Sequence, residues 1–210
     1  PEAFESAANE TGAIVLDVRH QSEFVKEHIP RSIFIGLDGS FAPWVGDLIA
    51  DVKQPILLVT PEGREKETVT RLSRVGFDNT LGILDGGIAA WKNAGKEIDS
   101  LKSVSAVDAK EALAKNDAPV FDVRKDGEFQ SEHLRNAHHT SLSELNNHLA
   151  EFPSDGNFYV HCAGGYRSVI AASILKSRGI HNLIDIAGGF AAMRKADMDI
   201  TQWVCPSTLK

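Results

Sequence analysis

The stretch Phe158-Tyr159-Val160-His161-Cys162-Ala163-Gly164-Gly165-Tyr166-Arg167-Ser168 decides how this chain folds. Phe158–Val160 is a short apolar run of the kind buried in a parallel sheet. A glycine-rich loop that closes on Arg167 follows the thiol of Cys162. Ser168–Arg178 then reads as a helix, with Ile170, Ala171, Ile174 and Leu175 on one face. Lys176 and Arg178 lie near its end, and Gly179 is placed to cap it. Strand, loop and helix in this order form the building unit of an α/β fold.

The same alternation occurs twice. Val15-Leu16-Asp17-Val18-Arg19 returns as Val120-Phe121-Asp122-Val123-Arg124, and the match continues through Glu23/Glu128, Phe24/Phe129, Glu27/Glu132, His28/His133 and Ile29/Leu134. Further on, Asp85-Gly86-Gly87-Ile88-Ala89-Ala90-Trp91 matches Ala187-Gly188-Gly189-Phe190-Ala191-Ala192-Met193. Self-similarity on this scale means duplicated domains, since solenoid repeats are shorter. Ala13–Val18, Ile56–Val59 and Pro119–Val123 read as buried strands, and Glu67–Val75 as a helix with Gly76 beyond it. Ser105-Ala106-Val107-Asp108 has the spacing of a helix start. The fold expected is α/β, with a mainly parallel sheet flanked by helices in each of two domains. Their extents are 1–100 and 101–210, with the junction in the polar stretch Asp99 to Ser103.

The formal charge of -7 argues against nucleic acid or an anionic membrane as a partner, because both need a basic face. No apolar run is long enough to span a bilayer and no signal-peptide pattern opens the chain, so a cytoplasmic location is expected. The start at Pro1, without Met, is expected of a fragment. The two cysteines, Cys162 and Cys205, make no disulfide framework. Cys205, between Val204 and Pro206, reads as a small buried hydrophobe; its rival reading is a second thiol that resolves a persulfide on Cys162.

The loop after Cys162 can activate a thiol without metal, cofactor or histidine base. The thiolate is the nucleophilic form. Cys162 falls at the carboxyl end of a strand, where open α/β sheets bind ligands. The next helix points its N-terminus at the sulfur, and Gly164 and Gly165 let the backbone curl into an anion-binding nest. Arg167 adds positive charge. His161 should face away, since neighbours on a strand point to opposite faces. His133, His138 and His139 match no standard zinc spacing. Asp122 and Arg124 recur as Asp17 and Arg19 in the copy without a thiol, so they read as structural.

These residues resemble the rhodanese family of sulfurtransferases, in tandem. In copy two the resemblance rests on Asp122-Val123-Arg124, Glu128-Phe129, His133-Leu134, Leu142-Ser143-Glu144-Leu145, Cys162–Arg167 and Gly188-Gly189. In copy one it rests on Asp17-Val18-Arg19, Glu23-Phe24, His28-Ile29, Gly63 and Gly86-Gly87 through Trp91. Glu27 and Glu132 stand where the family usually has Gly, as do Arg31 and Asn136, and Met193 replaces a usual Trp. The resemblance implies a persulfide mechanism. Cys162 takes the outer sulfur of thiosulfate or another persulfide donor and passes it to cyanide or an acceptor thiol. Ala163, Gly164, Gly165, Tyr166, Arg167 and Ser168 bind the small sulfur anion.

Copy one should lack this chemistry. Aligning Gly63 with Gly165 puts Thr60 at the cysteine position, Pro61 where an N–H donor is wanted, and Glu62 and Glu65 where an anion would sit. It reads as a structural or regulatory partner forming part of the wall around the active loop. A related phosphatase branch has one residue more between its Cys and Arg, so the short loop here favours sulfur over phosphate. The order of inactive then active copy also resembles the C-terminal region of fusions with a metallo-β-lactamase-type hydrolase or persulfide dioxygenase, where the copies would bind or relay persulfide for an upstream domain. No His-x-His-x-Asp-His motif occurs in this chain.

Overall fold

A computed structural model describes residues 1–205. It divides into two units, Pro1–Leu101 and Lys102 onward.

In unit 1 the elements run α1 (Glu2–Thr11), β1 (Ile14–Asp17), α2 (Gln21–Lys26), β2 (Ile33–Phe34), α3 (Phe41–Leu48), β3 (Ile56–Val59), α4 (Glu65–Ser73), β4 (Thr80–Ile83) and α5 (Gly87–Asn93). The four strands are parallel, in the order β2-β1-β3-β4. Every residue of β3 is buried, as expected for a parallel strand covered on both faces. On one face Phe4 of α1 and Ile88 and Trp91 of α5 pack on Leu57 and Val59.

Unit 2 runs β5 (Ser103–Val104), α6 (Ala106–Leu113), β6 (Val120–Asp122), α7 (Asp126–Ser131), β7 (His138–His139), two short 3-10 turns, β8 (Phe158–His161), α8 (Tyr166–Ser177), β9 (Leu183–Ile186) and α9 (Gly189–Lys195). Its five strands are also parallel, in the order β5-β9-β8-β6-β7. Ser105 caps α6 by accepting from the Asp108 amide at 3.1 Å. Ala106, Ala109 and Met193 cover one face through Val120, Tyr159, Ile184 and Ile186, and α8 packs on β8 and β9.

Two expectations change. The helices α4 and α8 begin two residues earlier than their apolar pattern suggests, at Glu65 and Tyr166. Gly63 (φ 77°) and Gly165 (φ 98°) turn the chain into the helix directly, using backbone that side-chain residues rarely adopt. In addition, α8 is not a one-faced helix: it is buried from Ser168 through Leu175. Its small residues, Ala171, Ala172 and Ser173, let it lie close against its neighbours, and Ser173 satisfies its hydroxyl on the Ile170 carbonyl at 2.7 Å.

The repeated Asp-Val-Arg forms the same staple in each unit. Arg19 Nη2 donates to Asp17 Oδ2 at 2.6 Å and to the Glu27 carbonyl at 2.8 Å. Arg124 Nη2 repeats both lengths with Asp122 and Glu132. The following histidines match too: His28 lies 2.8 Å from the Phe24 carbonyl and His133 2.8 Å from that of Phe129, each stacked on its phenylalanine. Arg31 (φ 64°) and Asn136 (φ 63°) are both left-handed, which explains why glycine suits this turn.

Candidate active site

In unit 2 the sulfur of Cys162 sits just past the end of β8 and is 1% exposed. The Gly165 amide, at the N-cap of α8, donates to Sγ at 3.2 Å, and the thiol points at the Ser168 hydroxyl at 3.6 Å. Of the two loop glycines only Gly165 takes a positive φ; Gly164 does not, so the curl comes from one residue rather than two. The amino end of α8 therefore faces the thiol, where its partial positive charge favours an anion.

Strand alternation separates the neighbours of Cys162. His161 turns to the opposite face, where its ring stacks over Phe190 of α9. Its Nδ1 donates to the Cys162 carbonyl at 3.2 Å and Nε2 lies 3.7 Å from Asp122 Oδ2. The proton belongs on Nδ1 because its partner there is a carbonyl. Burial holds this imidazole below its ordinary range, against the opposing charge of Asp122, so it stays neutral. Arg124 lies over the Phe190 ring at 3.9 Å. Asp122, Arg124 and His161 thus form a scaffold behind the loop.

Arg167 differs from the sequence picture of a guanidinium standing open to an anion. It pairs bidentately with Glu128, at 2.6 and 2.9 Å. Glu128 also accepts the Lys125 amide at 3.1 Å, capping α7. Arg167 holds the Glu128 carboxyl below the usual carboxylate range, and Glu128 pushes the guanidinium up. The repeat shows Glu128 only as the partner of Glu23, so its reach to the loop was not legible.

The loop is clamped from a second helix. Phe190 N–H donates to the Cys162 carbonyl at 2.7 Å and Ala191 N–H to that of Ala163 at 3.1 Å. A Cβ on Gly189 would stand 2.3 Å from the Cys162 carbonyl oxygen, so only glycine fits. Asp185, on β9, is a further residue the apolar reading of that strand passes over. It is 2% exposed, and a carboxyl between Ile184 and Ile186 was the available signal.

In unit 1, Val59 pairs with Asp17 in the sheet as His161 pairs with Asp122, which places Thr60 at the Cys162 position. Glu62 and Glu65 stand where Gly164 and Arg167 stand in unit 2. Glu65 accepts the Gly63 amide at 3.0 Å. A cavity of about 560 Å³ lies between Thr60, Glu62 and Glu65 on one side and Ile83 through Gly87 on the other.

His133, His138 and His139 are each held by ring stacking. His133 stacks on Phe129, His138 on Phe121, and His139 on Phe129 with Nε2 at 2.9 Å from the Arg124 carbonyl. Among the described residues no group of three or more His, Cys, Asp or Glu is arranged to hold a metal ion. Cys205 is half-buried rather than buried, with Trp203 beside it exposed. No helix among the described residues is long and apolar enough to cross a membrane.

Comparison with known proteins places both units. The profile of the rhodanese-like domain matches residues 1–94 and 105–196. A protein named thiosulfate sulfurtransferase GlpE, from Coxiella burnetii, is 29% identical over 89 residues, 42% of this chain and 83% of that protein. The adenylyltransferase and sulfurtransferase uba4 of Pyricularia oryzae is 31% identical over 105 residues, 41% of this chain and 21% of that one. A crystal structure of a thiosulfate sulfurtransferase from Pseudomonas aeruginosa matches with a TM-score of 0.44 at 23% identity, and the chain spans 43% of its length while 96% of this chain is covered. With a thiol at a strand end, a loop clamped between two helix amino ends, and the profile matched in both repeats, the chain belongs to the rhodanese-like domain family.

Proposed function

We propose that unit 2 is a sulfurtransferase that carries sulfane sulfur on Cys162. The observation that carries this reading is the Cys162 sulfur held by the Gly165 amide at 3.2 Å at the amino end of α8. The names of the relatives support it. The Cys162 thiolate attacks the outer sulfur of thiosulfate or a low-molecular-weight persulfide. A new S–S bond forms to Sγ, the donor's own S–S bond breaks, and the electron pair leaves on sulfite or thiolate. Cyanide or an acceptor thiol then attacks that outer sulfur, and the electron pair returns to Sγ. The amides of Ala163, Gly164, Gly165 and Tyr166, with Arg167 and the Ser168 hydroxyl, bind the anion and the charge that develops on sulfur. Because Glu128 offsets Arg167, the site suits a singly charged persulfide as well as a thiosulfate dianion. Only four residues separate Cys162 from Arg167, which favours sulfur over phosphate.

A second reading rests on the order of a copy without the thiol followed by one that has it: unit 2 is a non-catalytic or persulfide-relay module of a larger metallo-β-lactamase-fold hydrolase or persulfide dioxygenase. Thiocyanate formation from thiosulfate and cyanide, and from glutathione persulfide, separates the two. Turnover is expected with at least one donor and should fall on the order of a thousandfold or more in Cys162→Ser. Mass spectrometry should find the added sulfur on Cys162 and not on Cys205. Undiminished turnover in the Ser variant overturns both readings, and sulfur loading without turnover favours the relay.

A further inference from the structure

The ion pair between Arg167 and Glu128 is more than a helix cap requires. Arg167 lies between two residues that meet the thiol: the Gly165 amide donates to Cys162 Sγ, and the thiol points at the Ser168 hydroxyl. Glu128 stands in the first turn of α7, which follows β6, the neighbour of β8 in the sheet. Both side chains are therefore at the sheet edge that ends in Cys162. Glu128 Oε2 accepts from Arg167 Nη1 at 2.6 Å and Oε1 from Nη2 at 2.9 Å. Only 17% of the arginine side chain and 35% of the glutamate are exposed. Two charge-assisted bonds of this kind fix the plane of a guanidinium on its partner. The cap itself uses only the Lys125 amide, 3.1 Å from Oε2, and in a capping box a neutral glutamine fills that role as well as glutamate.

Unit 1 separates the two roles. Glu23, the counterpart of Glu128, accepts the His20 amide at 3.3 Å and caps α2. Glu65 stands for Arg167, so Glu23 has no arginine at that position to hold. The cap is present in both units, and the ion pair is present where the thiol is.

The charges around the loop decide what this pair does to a donor. The attacking thiolate is negative, Arg167 offsets it, and the amino end of α8 adds about half a positive charge. Without Glu128 that balance is positive, and a dianion gains more from it than a monoanion does. With Glu128 the balance is negative by about the same amount, and each further negative charge on the donor is penalised. The Asp122–Arg124 pair behind the loop is matched within itself. We infer that Glu128 is a positioning residue that sets donor choice by charge: it holds Arg167 and turns the site toward a singly charged carrier of sulfane sulfur, a low-molecular-weight persulfide or a thiosulfonate. Thiosulfate still enters, at a disadvantage. Glu128 acts through Arg167 and does not touch the transferred sulfur.

The inference rests on Cys162 being the sulfur carrier, and its test compares two donors that differ by one charge. Methanethiosulfonate has a methyl group where thiosulfate has a charged oxygen. Each gives its outer sulfur to the Cys162 thiolate as its own S–S bond breaks, and the electron pair leaves on methanesulfinate or on sulfite. The second-order rate of sulfur loading on Cys162 is followed by mass spectrometry in the whole chain. In Glu128→Gln, which keeps the cap, the ratio of the thiosulfate rate to the methanethiosulfonate rate should rise about tenfold. Damage to the loop lowers both rates together and leaves the ratio alone. Glu128→Asp, which keeps the charge, should hold the ratio within about threefold of wild type. Raising the salt from about 0.02 M to about 0.2 M should raise the ratio in the wild-type chain and lower it in Glu128→Gln, since screening removes a penalty in one and an advantage in the other. An unchanged ratio in Glu128→Gln, an Asp variant shifted as far as Gln, or salt trends of the same sign overturns the inference. If Glu128→Gln fails to fold by circular dichroism, a wild-type ratio that falls with salt overturns it instead. Loading from neither donor refutes the sulfur-carrier reading and this inference together, whereas loading with an unchanged ratio refutes this inference alone.

Discussion

Unit 1 and unit 2 have the same staple and different loops. The Asp–Arg bonds agree in length, and the histidines stack on the same phenylalanines. At the next turn the two part. In unit 2 the α9 amides of Phe190 and Ala191 hold the loop carbonyls, and Gly189 lies against the Cys162 backbone. In unit 1, among the described residues, Ile88 and Ala89 make no such bonds to Thr60 and Pro61, and a Cβ on Gly87 would meet nothing within 4 Å. The cavity beside Thr60 occupies the space that the clamp closes in unit 2. The difference teaches that a thiol is one part of the candidate site; the others are a loop pinned by α9 and an amide aimed at the sulfur.

The largest test of that contrast puts a thiol where the scaffold is shared and the pinning is not. In a Cys162→Ser background, Thr60→Cys should restore less than about one-hundredth of the wild-type rate of sulfur transfer, because position and electrostatics carry most of the rate. Substantial restoration would break the comparison. Next come the paired glycines. Both Gly87 and Gly189 have positive φ, so alanine at either costs about 1 kcal/mol in backbone strain. At Gly189 the Cβ also meets a carbonyl oxygen at 2.3 Å, and overpacking raises the cost to about 3 kcal/mol. Denaturant unfolding should separate the two variants, and equal costs would show that the clamp adds nothing.

The smallest effect is a pH dependence. His161 is buried neutral with its pKa held down by burial, and unit 1 has Val59 at that place. Once unfolded, the ring takes a proton near 6.5, while the folded ring does not. Stability is therefore present above about pH 6.5 and is lost as the pH falls below it. His161→Val should flatten that decline by about 1–2 kcal/mol at pH 5, read from thermal melts across the acid range. An unchanged slope would remove His161 as its source.

Much of this was legible in the chain. Buried parallel strands are short apolar runs, so β3 and β8 can be read directly, and the duplication separates staple from loop in the sequence itself. What stayed hidden depends on through-space approach. The role of Gly189 comes from a carbonyl that arrives from another strand end. Glu128 looks like a helix cap in both copies, and only the fold brings Arg167 to it. Asp185 lies in an apolar run, where period alone gives no reason for its charge. The early start of α8 reflects one glycine's φ, which hydrophobic periodicity does not encode.

The staple has one more consequence. Its bonds run from Asp to Arg and on to a carbonyl ahead of the conserved-shape histidine turn, and none of them touches the strand–helix loop. A unit can thus trade its loop without disturbing the fastening that ties the end of its first core strand to the end of the following helix. The duplicated scaffold thus carries Thr60-Pro61-Glu62 in one unit and Cys162-Ala163-Gly164 in the other on the same fastening.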